Sequence, residues 1–318
     1  MVRVQARVAA ALPMPAGQPA HRVRGLALVA VLWTLAALMV TVTGVVYAVR
    51  TEVRSTAFFR EIAVAGALGD AGVVLAAREL AGSRNRDNRL QRFDFAFEQA
   101  TVAIRTVPLS GLIDLNAAGE PLLAELIAVA GGVERARASS LAQRIIDWRD
   151  ADEQPQPQGA ENGAYAAAGS PFRTRGGPFE APEDLLQVLG FDFDLYARLR
   201  PLVTVHARGG GRVDPAAAPL PVLRVLASGN EQIAVDFAGA REASGALADT
   251  TRFPATYVAR SQSPRYLVEA AVQLSNGAFV VTRKILDVSS GVEDAPGIKS
   301  AARLQQLFAA LRGSGRRQ

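Results

Sequence analysis

One long, mostly apolar run without a charged residue lies near the N-terminus. Leu26 to Val49 spans 24 positions without a charged residue. An α-helix of that length covers about 36 Å, which is enough for a bilayer hydrocarbon core of about 30 Å. The run is longer than the apolar region of about 7–15 residues in a cleaved secretory signal peptide. The pattern therefore predicts a transmembrane helix over residues 26–49.

The helical periodicity continues beyond the apolar run. Apolar residues recur at spacings of three and four as far as Leu80, and Gly82-Ser83 is a plausible stop. The recurring positions are Phe58, Ile62, Ala65, Leu68, Val73, Ala76 and Leu80. We therefore expect one helix from Leu26 to about Ala81, kinked at its glycines, whose second half is amphipathic and packs on a folded domain.

Two separated segments have the pattern of β-strands. Residues 92–107 alternate as a strand or hairpin does, and residues 265–288 form two apolar runs joined by Ser275-Asn276-Gly277, a strong hairpin signal. Between them, residues 111–191 have the pattern of helices separated by tight turns. The order predicts an α+β protein in which a helical block divides the sheet in sequence.

Several residues in the helical block are typical of helix ends. Asn116 and Ser139-Ser140 are predicted to cap two helices, Pro182 to open a third and Gly190 to end it. The segment "LIDLNAAGEPLLAEL" at 112 is echoed by "RVDPAAAPLPVLRVL" at 212, which suggests related helical hairpins.

The composition limits the chemistry. The chain has 35 Lys and Arg against 30 Asp and Glu, with much of the excess at its two ends, no cysteine and two histidines. Disulfides, thiolate sites and histidine-rich metal sites are therefore excluded, and a Ser–His–Asp arrangement would need His206 because His21 precedes the apolar run. No nucleophile elbow, phosphate loop or zinc motif is present, so we expect no catalytic residues, no enzyme and no cofactor-binding motif.

An acidic stretch within the block suggests calcium. Asp150, Asp152 and Glu161 occupy the first, third and twelfth places of an EF-hand spacing, but Gln154 stands fifth and Pro155 takes the place of the required glycine. The stretch is therefore not an EF-hand. Two alternatives stay open: calcium bound in a loop of another shape by Asp147, Asp150, Asp152 and Glu161, or a solvated acidic loop in which Asp147 or Asp150 pairs with an arginine.

The N-terminus resembles that of type IV pilin-like proteins, with a basic leader ending in "HRVRG", an apolar helix and an amphipathic continuation. The resemblance implies cleavage by a prepilin peptidase between Gly25 and Leu26. Most such proteins carry glutamate at the fifth mature position, where this chain has Ala30. A plain single-pass membrane anchor would look similar.

A longer series of motifs is more specific. "IDLN-A", "IIDWRDAD", "GAENGAY", "GPFEAPEDL--V-GF" and "RPLVTVH", in this order, resemble the K-type minor pseudopilins of type II secretion systems, from Gly25 to about Val288. The resemblance implies a pilin-like α/β domain with a large inserted helical domain of helix-hairpin-helix or SAM-like kind, with which calcium is associated in the family. It also implies a tip complex with the I- and J-type minor pseudopilins, contact with secreted cargo, and a single-pass protein of the bacterial inner membrane whose bulk is periplasmic.

The resemblance and the patterns together predict six segments. These are a leader (1–25), a transmembrane helix (26–49), an amphipathic helix with the first strands (50–108), the inserted helical domain (109–250), the remaining sheet (251–290) and a C-terminal tail (291–318) with a rough helical face from Ile298 to Leu311. The alternative function is that of a membrane-anchored helix-hairpin-helix protein that binds DNA. The many acidic residues of the block argue against DNA, because they repel phosphate.

Overall fold

The computed structural model describes residues 23–82, 88–97, 100–207, 210–244, 248–261, 263–288, 293–295, 298–299 and 305. Most of the predicted leader and most of the predicted C-terminal tail lie outside these residues. The chain divides into two compact units, one up to Glu61 and one from Ile62 onward.

The elements alternate between helix and strand in chain order. The α-helices are α1 (Val23–Gly82), α2 (Glu120–Glu125), α3 (Arg135–Arg149), α4 (Asn162–Ala167), α5 (Phe193–Leu199), α6 (Leu220–Leu226) and α7 (Glu231–Ser244). The strands are β1 (Gln91–Phe97), β2 (Ala100–Pro108), β3 (Ile113–Asp114), β4 (Val203–Thr204), β5 (Arg265–Gln273), β6 (Phe279–Asp287), β7 (Glu293–Ala295) and β8 (Ile298–Lys299). A π-helical turn covers Leu126–Ala130, and 3-10 turns cover Leu109–Gly111, Pro182–Gln187 and Arg200–Leu202.

The first unit contains the apolar half of α1. Among the described residues, one helix is long and apolar enough to cross a membrane by length and composition, over Ala27–Ala81. The hydroxyl groups of Thr34, Thr41 and Thr51 each donate to a carbonyl three or four residues earlier in the helix. These bonds satisfy the polar groups of an otherwise apolar surface. The predicted single helix is confirmed, and it extends to Gly82. The predicted kink at its glycines stays a prediction.

In the second unit, the rest of α1 packs on a four-stranded antiparallel sheet of order β1-β2-β5-β6. Buried alanines and a glycine on α1 allow a close approach. A Cβ atom at Gly72 would lie 2.9 Å from Cγ1 of Val102 and 3.1 Å from Cβ of Ala270. The predicted hairpins are confirmed: β1 pairs with β2 and β5 with β6, and Gly277 has a positive φ of 83° in the turn between β5 and β6.

The helical block lies between β2 and β5 in sequence and has a core of its own. Short strands β3 and β4 pair in parallel and join its two halves. Trp148 and Tyr165 are fully buried, as expected of core residues, and the Trp148 ring stacks on Phe179 at 4.2 Å between centroids. The observed architecture confirms the α+β class with an inserted helical block. The proposed boundaries at residues 109 and 250 stay predictions.

Two predicted helix caps are wrong. The residue before α2 is Gly119, whereas the Asn116 side chain bonds to the backbone of Phe179 in both directions, at 2.7 and 3.0 Å. Helix α3 begins at Arg135, and its cap is the Glu134 carboxylate, which accepts from two backbone amides. Ser139-Ser140 lie inside α3, where their hydroxyls bind Glu120 and the Gln158 carbonyl. Long-range contacts use these side chains in place of local capping.

The C-terminal tail also departs from its prediction where it is described. Ile298 and Lys299 form β8, which pairs with β7, so the predicted helical face does not begin at Ile298. Of the later positions, only Gln305 is described. The rest of the predicted face lies outside the described residues.

The internal echo corresponds to two similar turns. Asp114 accepts a hydrogen bond from the Asn116 amide at 2.9 Å, and Asp214 accepts one from the Ala216 amide at 3.0 Å. Each aspartate thereby closes the turn that precedes a leucine-rich helix, α2 or α6. Both aspartates are buried.

A partly buried polar network connects the second turn to the segment after α1. The Asn88 amide donates to Oδ2 of Asp214 at 2.8 Å and to the Ser110 hydroxyl at 3.0 Å. It also contacts the backbone of Ser261 and Ser263. Asn88 therefore joins three parts of the chain that are distant in sequence: the linker after α1, the start of the helical block and its end.

Replacing this asparagine should destabilise the second unit. We expect Asn88→Ala to lower the free energy of unfolding by about 2 kcal/mol, because it leaves the buried Asp214 carboxylate with fewer donors. The measurement is chemical denaturation of the full chain in detergent, followed by tryptophan fluorescence. The control is Gln232→Ala on the exposed surface of α7, which should change the value by less than about 0.5 kcal/mol. Equal effects of the two variants would contradict the role of the network.

Candidate functional site

Three of the four predicted calcium ligands come together. Helix α3 ends at Arg149, and Asp150 takes an extended conformation that turns the chain into the acidic loop. The loop returns at Glu161, directly before α4. One carboxylate oxygen from each of Asp150, Asp152 and Glu161 lies within 4.8 Å of the other two.

The carboxylate of Glu161 has unused bonding capacity. The residue is 6% exposed, and among the described residues neither carboxylate oxygen has a hydrogen-bond partner. Oδ1 of Asp150 is also buried without a partner within the described part of the chain. Buried polar atoms are usually bonded, because an unsatisfied one costs about 1–3 kcal/mol and more when it is charged. Such atoms therefore favour an additional group between them.

Asp147 has a different part in the structure. Its carboxylate accepts from the Gln156 amide at 3.1 Å and from the Ala160 amide at 2.7 Å, which fixes the returning arm of the acidic loop. Gly159 packs directly on it, since a Cβ atom there would lie 1.8 Å from Oδ2 of Asp147. The structure thus does not bring Asp147 into the group of three. Its oxygens are occupied by the backbone of the loop.

Arginine pairing does not account for the acidic loop. Arg149, the nearest arginine in sequence, is partly buried, and its guanidinium donates to the carbonyls of Leu115 and Ala118. Asp147 is bonded to backbone amides and not to an arginine. Among the described residues, neither Asp147 nor Asp150 forms a direct ion pair with an arginine, although the charge of Arg149 acts on Asp150.

The electrostatics of the group favour a cation. Burial raises the pKa of Glu161, the nearby Thr174 hydroxyl lowers it, and the charges of Asp147, Asp150 and Glu153 raise it further, with a net rise. Burial also raises the pKa of Asp150, with Asp152 and Asp147 adding to the effect and the charge of Arg149 partly opposing it. Each carboxylate thus destabilises the charge of its neighbours, and a divalent cation between them would relieve this repulsion. Hard oxygen donors of this kind fit calcium.

Residues that sequence patterns did not indicate hold the acidic loop. The Asn162 side chain donates to Glu153 at 2.8 Å and accepts from the Thr174 hydroxyl and amide, both at 3.1 Å. The backbone of Arg175 donates to the Trp148 carbonyl at 3.1 Å. Asn162 is the first residue of the short helix α4. Its partners Glu153 and Thr174 are not at a spacing typical of any motif, so the sequence did not indicate these contacts.

The other predicted positions lie apart from the acidic loop. Gly25 and Leu26 are part of the α1 backbone, and Ala30 is exposed on the same helix. His206 follows β4, where its amide donates to the Thr204 hydroxyl and its carbonyl accepts from Arg265.

Comparisons with known proteins give one family model, two named relatives and a solved structure. Residues 114–208 match the family model described as type II secretion system (T2SS), protein K. The chain is 42% identical over 72 residues to type II secretion system protein K of Pectobacterium carotovorum subsp. carotovorum, over 23% of this chain and 22% of that protein. It is 37% identical over 76 residues to the protein of the same name from Klebsiella pneumoniae, over 24% of this chain and 23% of that protein. The alignments thus span less than a quarter of either relative.

A solved structure is also similar. It is that of the GspK-GspI-GspJ complex from the type 2 secretion system of enterotoxigenic Escherichia coli, with a TM-score of 0.47 and 17% identity. The match covers 78% of this chain and 96% of that chain. The motifs identified above, the family model and the two named relatives agree, so the resemblance is confirmed: residues 114–208 are similar to type II secretion system protein K.

Proposed function

We propose that the chain is a minor pseudopilin at the tip of the type II secretion pseudopilus, where it initiates or caps assembly for protein export. The observation that carries the proposal is a domain that matches the protein K family model and is inserted between adjacent strands of a sheet, in a chain with a long apolar helix near its N-terminus. The proposed role is structural. The residues of interest are therefore those at the cleavage site, those in the membrane-spanning helix and those that pack the folded part.

Ala30 supports a tip position. A glutamate in an apolar helix is costly in a membrane unless it is paired, for example with the N-terminal amine of a neighbouring subunit. A subunit with alanine there inserts at lower cost but cannot make that pair. Alanine at this position therefore suits the first subunit of the filament, which has no preceding subunit to pair with. The inserted helical block adds bulk that a repeated shaft position would not accommodate.

Charge supports an inner-membrane protein with a cytoplasmic N-terminus. Arg22 and Arg24 directly precede the apolar run, and basic residues favour the cytoplasmic side. The folded part would then be periplasmic, although Arg50 and Arg54 beyond the run act in the other direction. As the resemblance implies, we propose that the partners are prepilin peptidase, the I- and J-type minor pseudopilins and secreted cargo.

The test is the mass of the N-terminal peptide after co-expression with a prepilin peptidase. We expect a new terminus at Leu26, with or without a methyl group. Gly25→Val should leave the chain uncut, because the substitution adds a branched side chain at the cleaved bond. Gly44→Ala is the matched control within the same helix and should not affect cleavage. An uncut natural chain would make "HRVRG" the flank of a plain anchor and would overturn the proposal.

We further propose that the acidic loop binds calcium through Asp150, Asp152 and Glu161. The unsatisfied buried oxygens of Glu161 and Asp150 support a cation at this position, because it would supply the bonding that the protein does not. Calcium would neutralise the three carboxylates and fix both arms of the loop between α3 and α4. Asp147 would contribute by holding the returning arm through its bonds to Gln156 and Ala160.

Calcium should stabilise the full chain in detergent. At one hundred times its dissociation constant, a ligand that binds only the folded state adds about 2.7 kcal/mol to the free energy of unfolding. We expect thermal unfolding to shift upward with calcium and back with chelator, and Glu161→Gln to abolish most of the shift. Glu242→Gln changes an exposed carboxylate on α7, outside the acidic loop, so it should keep the shift. No response of the natural chain to chelation would refute the site.

The metal-free protein should also show a specific pH dependence. Because the pKa of Glu161 is raised in the folded state, its contribution to stability is complete below the unfolded-state pKa and is lost as pH rises through the folded-state pKa. With chelator present, the free energy of unfolding of the natural chain should therefore fall relative to that of Glu161→Gln as pH rises. The measurement is chemical denaturation of both proteins at a series of pH values, from below the unfolded-state pKa of Glu161 to above its folded-state pKa. A difference that is constant, or that grows in the opposite direction, would contradict the electrostatic argument.

A further inference from the structure

A cavity of about 380 Å³ lies between the sheet and the helical block, remote in sequence from the acidic loop. Three arginines from three elements line it: Arg105 on β2, Arg198 on α5 and Arg224 on α6. We call this cavity the arginine cleft. Its apolar lining consists of Val129, Ala130, Pro201, Leu202, Pro219 and Pro221.

The arginine cleft has an excess of positive charge. No carboxylate is among its lining residues. Arg105 pairs with Glu269, and Arg224 donates to Glu231 at 2.7 Å. Arg198 is exposed in the last turn of α5 and has no side-chain partner among the described residues. At least one guanidinium therefore remains free to bind a group from outside the chain.

The positive charge continues across the sheet. In the cross-strand register, Arg92 stands opposite Arg105, Arg105 opposite Glu269, and Glu269 opposite Arg283. The buried Glu269 accepts from both Arg105 and Arg283, the second at 2.7 Å. The row thus contains three guanidinium groups and one carboxylate. The four side chains, Arg105 among them, share one face of the sheet, so that face carries a net positive charge.

We propose that the arginine cleft binds an acidic segment of a protein partner, with carboxylates on the guanidinium groups and apolar side chains on the proline-rich floor. Guanidinium groups bind carboxylates with two parallel hydrogen bonds, which gives strength and direction. The three prolines restrict the backbone that forms the floor, so little conformational entropy is lost on binding.

The lining favours a protein segment over nucleic acid. Sites for single-stranded nucleic acid combine positive charge with aromatic side chains on which bases stack, and no aromatic residue lines the arginine cleft. A small inorganic anion would leave the apolar floor unused. The inference goes beyond the proposed tip position and does not depend on it.

The test uses the full chain in detergent micelles and a fluorescein-labelled peptide of alternating glutamate and leucine, followed by fluorescence anisotropy. We expect saturable binding that Arg198→Glu weakens by about ten-fold or more, since a charge-assisted bond is replaced by repulsion. Arg198→Gln should have a smaller effect of the same sign. Arg137→Glu is the matched control, an exposed arginine on α3 with no side-chain partner among the described residues, and should leave binding unchanged.

Four results would overturn the proposal. The natural chain does not bind the peptide, or Arg198→Glu and Arg137→Glu weaken it equally. A peptide of alternating glutamate and serine binds as tightly, which removes the role of the apolar floor. An oligothymidylate binds at least as tightly and loses affinity in Arg198→Glu, which assigns the cleft to nucleic acid. Because Arg198 is exposed, we expect its variants to keep their helix content. Circular dichroism of each variant at the assay temperature verifies this.

Discussion

The register between β2 and β5 is the constraint on which the second unit depends. Pro108 stands opposite Tyr266, and Val102 opposite Val272, although the whole helical block separates the two strands in the chain. Closing so long a loop has an entropic cost before any contact between the strands is gained. The block reduces this cost by folding around its own core. Its two ends are then held close together by the parallel pair β3 and β4 and by the polar network around Asn88.

Local patterns predicted the elements well, because their signals are local. The uncharged run from Leu26, the alternation before residue 108 and the Ser-Asn-Gly turn each specify backbone conformation over a few residues. Helix caps were predicted less well. Asn116 has the right chemistry for a cap, but its amide finds a stronger set of partners at Phe179, which is distant in sequence. Helix α3 is capped by Glu134, a residue type with weaker cap preference than serine.

The candidate sites show the same limit. The spacing of Asp150, Asp152 and Glu161 indicated oxygen ligands, and the loop does bring them together. The spacing could not show that the carboxylate of Asp147 accepts hydrogen bonds from backbone amides of the same loop. The arginine cleft has no counterpart in any sequence pattern, because Arg105, Arg198 and Arg224 lie on elements that only the tertiary fold makes neighbours. Unlike-charge pairs such as Arg105 and Glu269 likewise depend on cross-strand register.

The adjacency of Pro108 and Tyr266 has a mechanical consequence. The helical block is attached to the sheet at the neighbouring ends of two antiparallel strands, β2 and β5. A force on the block therefore reaches both strands at the same end of the sheet and in the same direction. Such a force does not peel β2 from β5. It is transmitted to their outer neighbours β1 and β6 as shear, in which all hydrogen bonds of each ladder resist together. The block is thus attached in the geometry in which a sheet best withstands pushing and pulling along its strands.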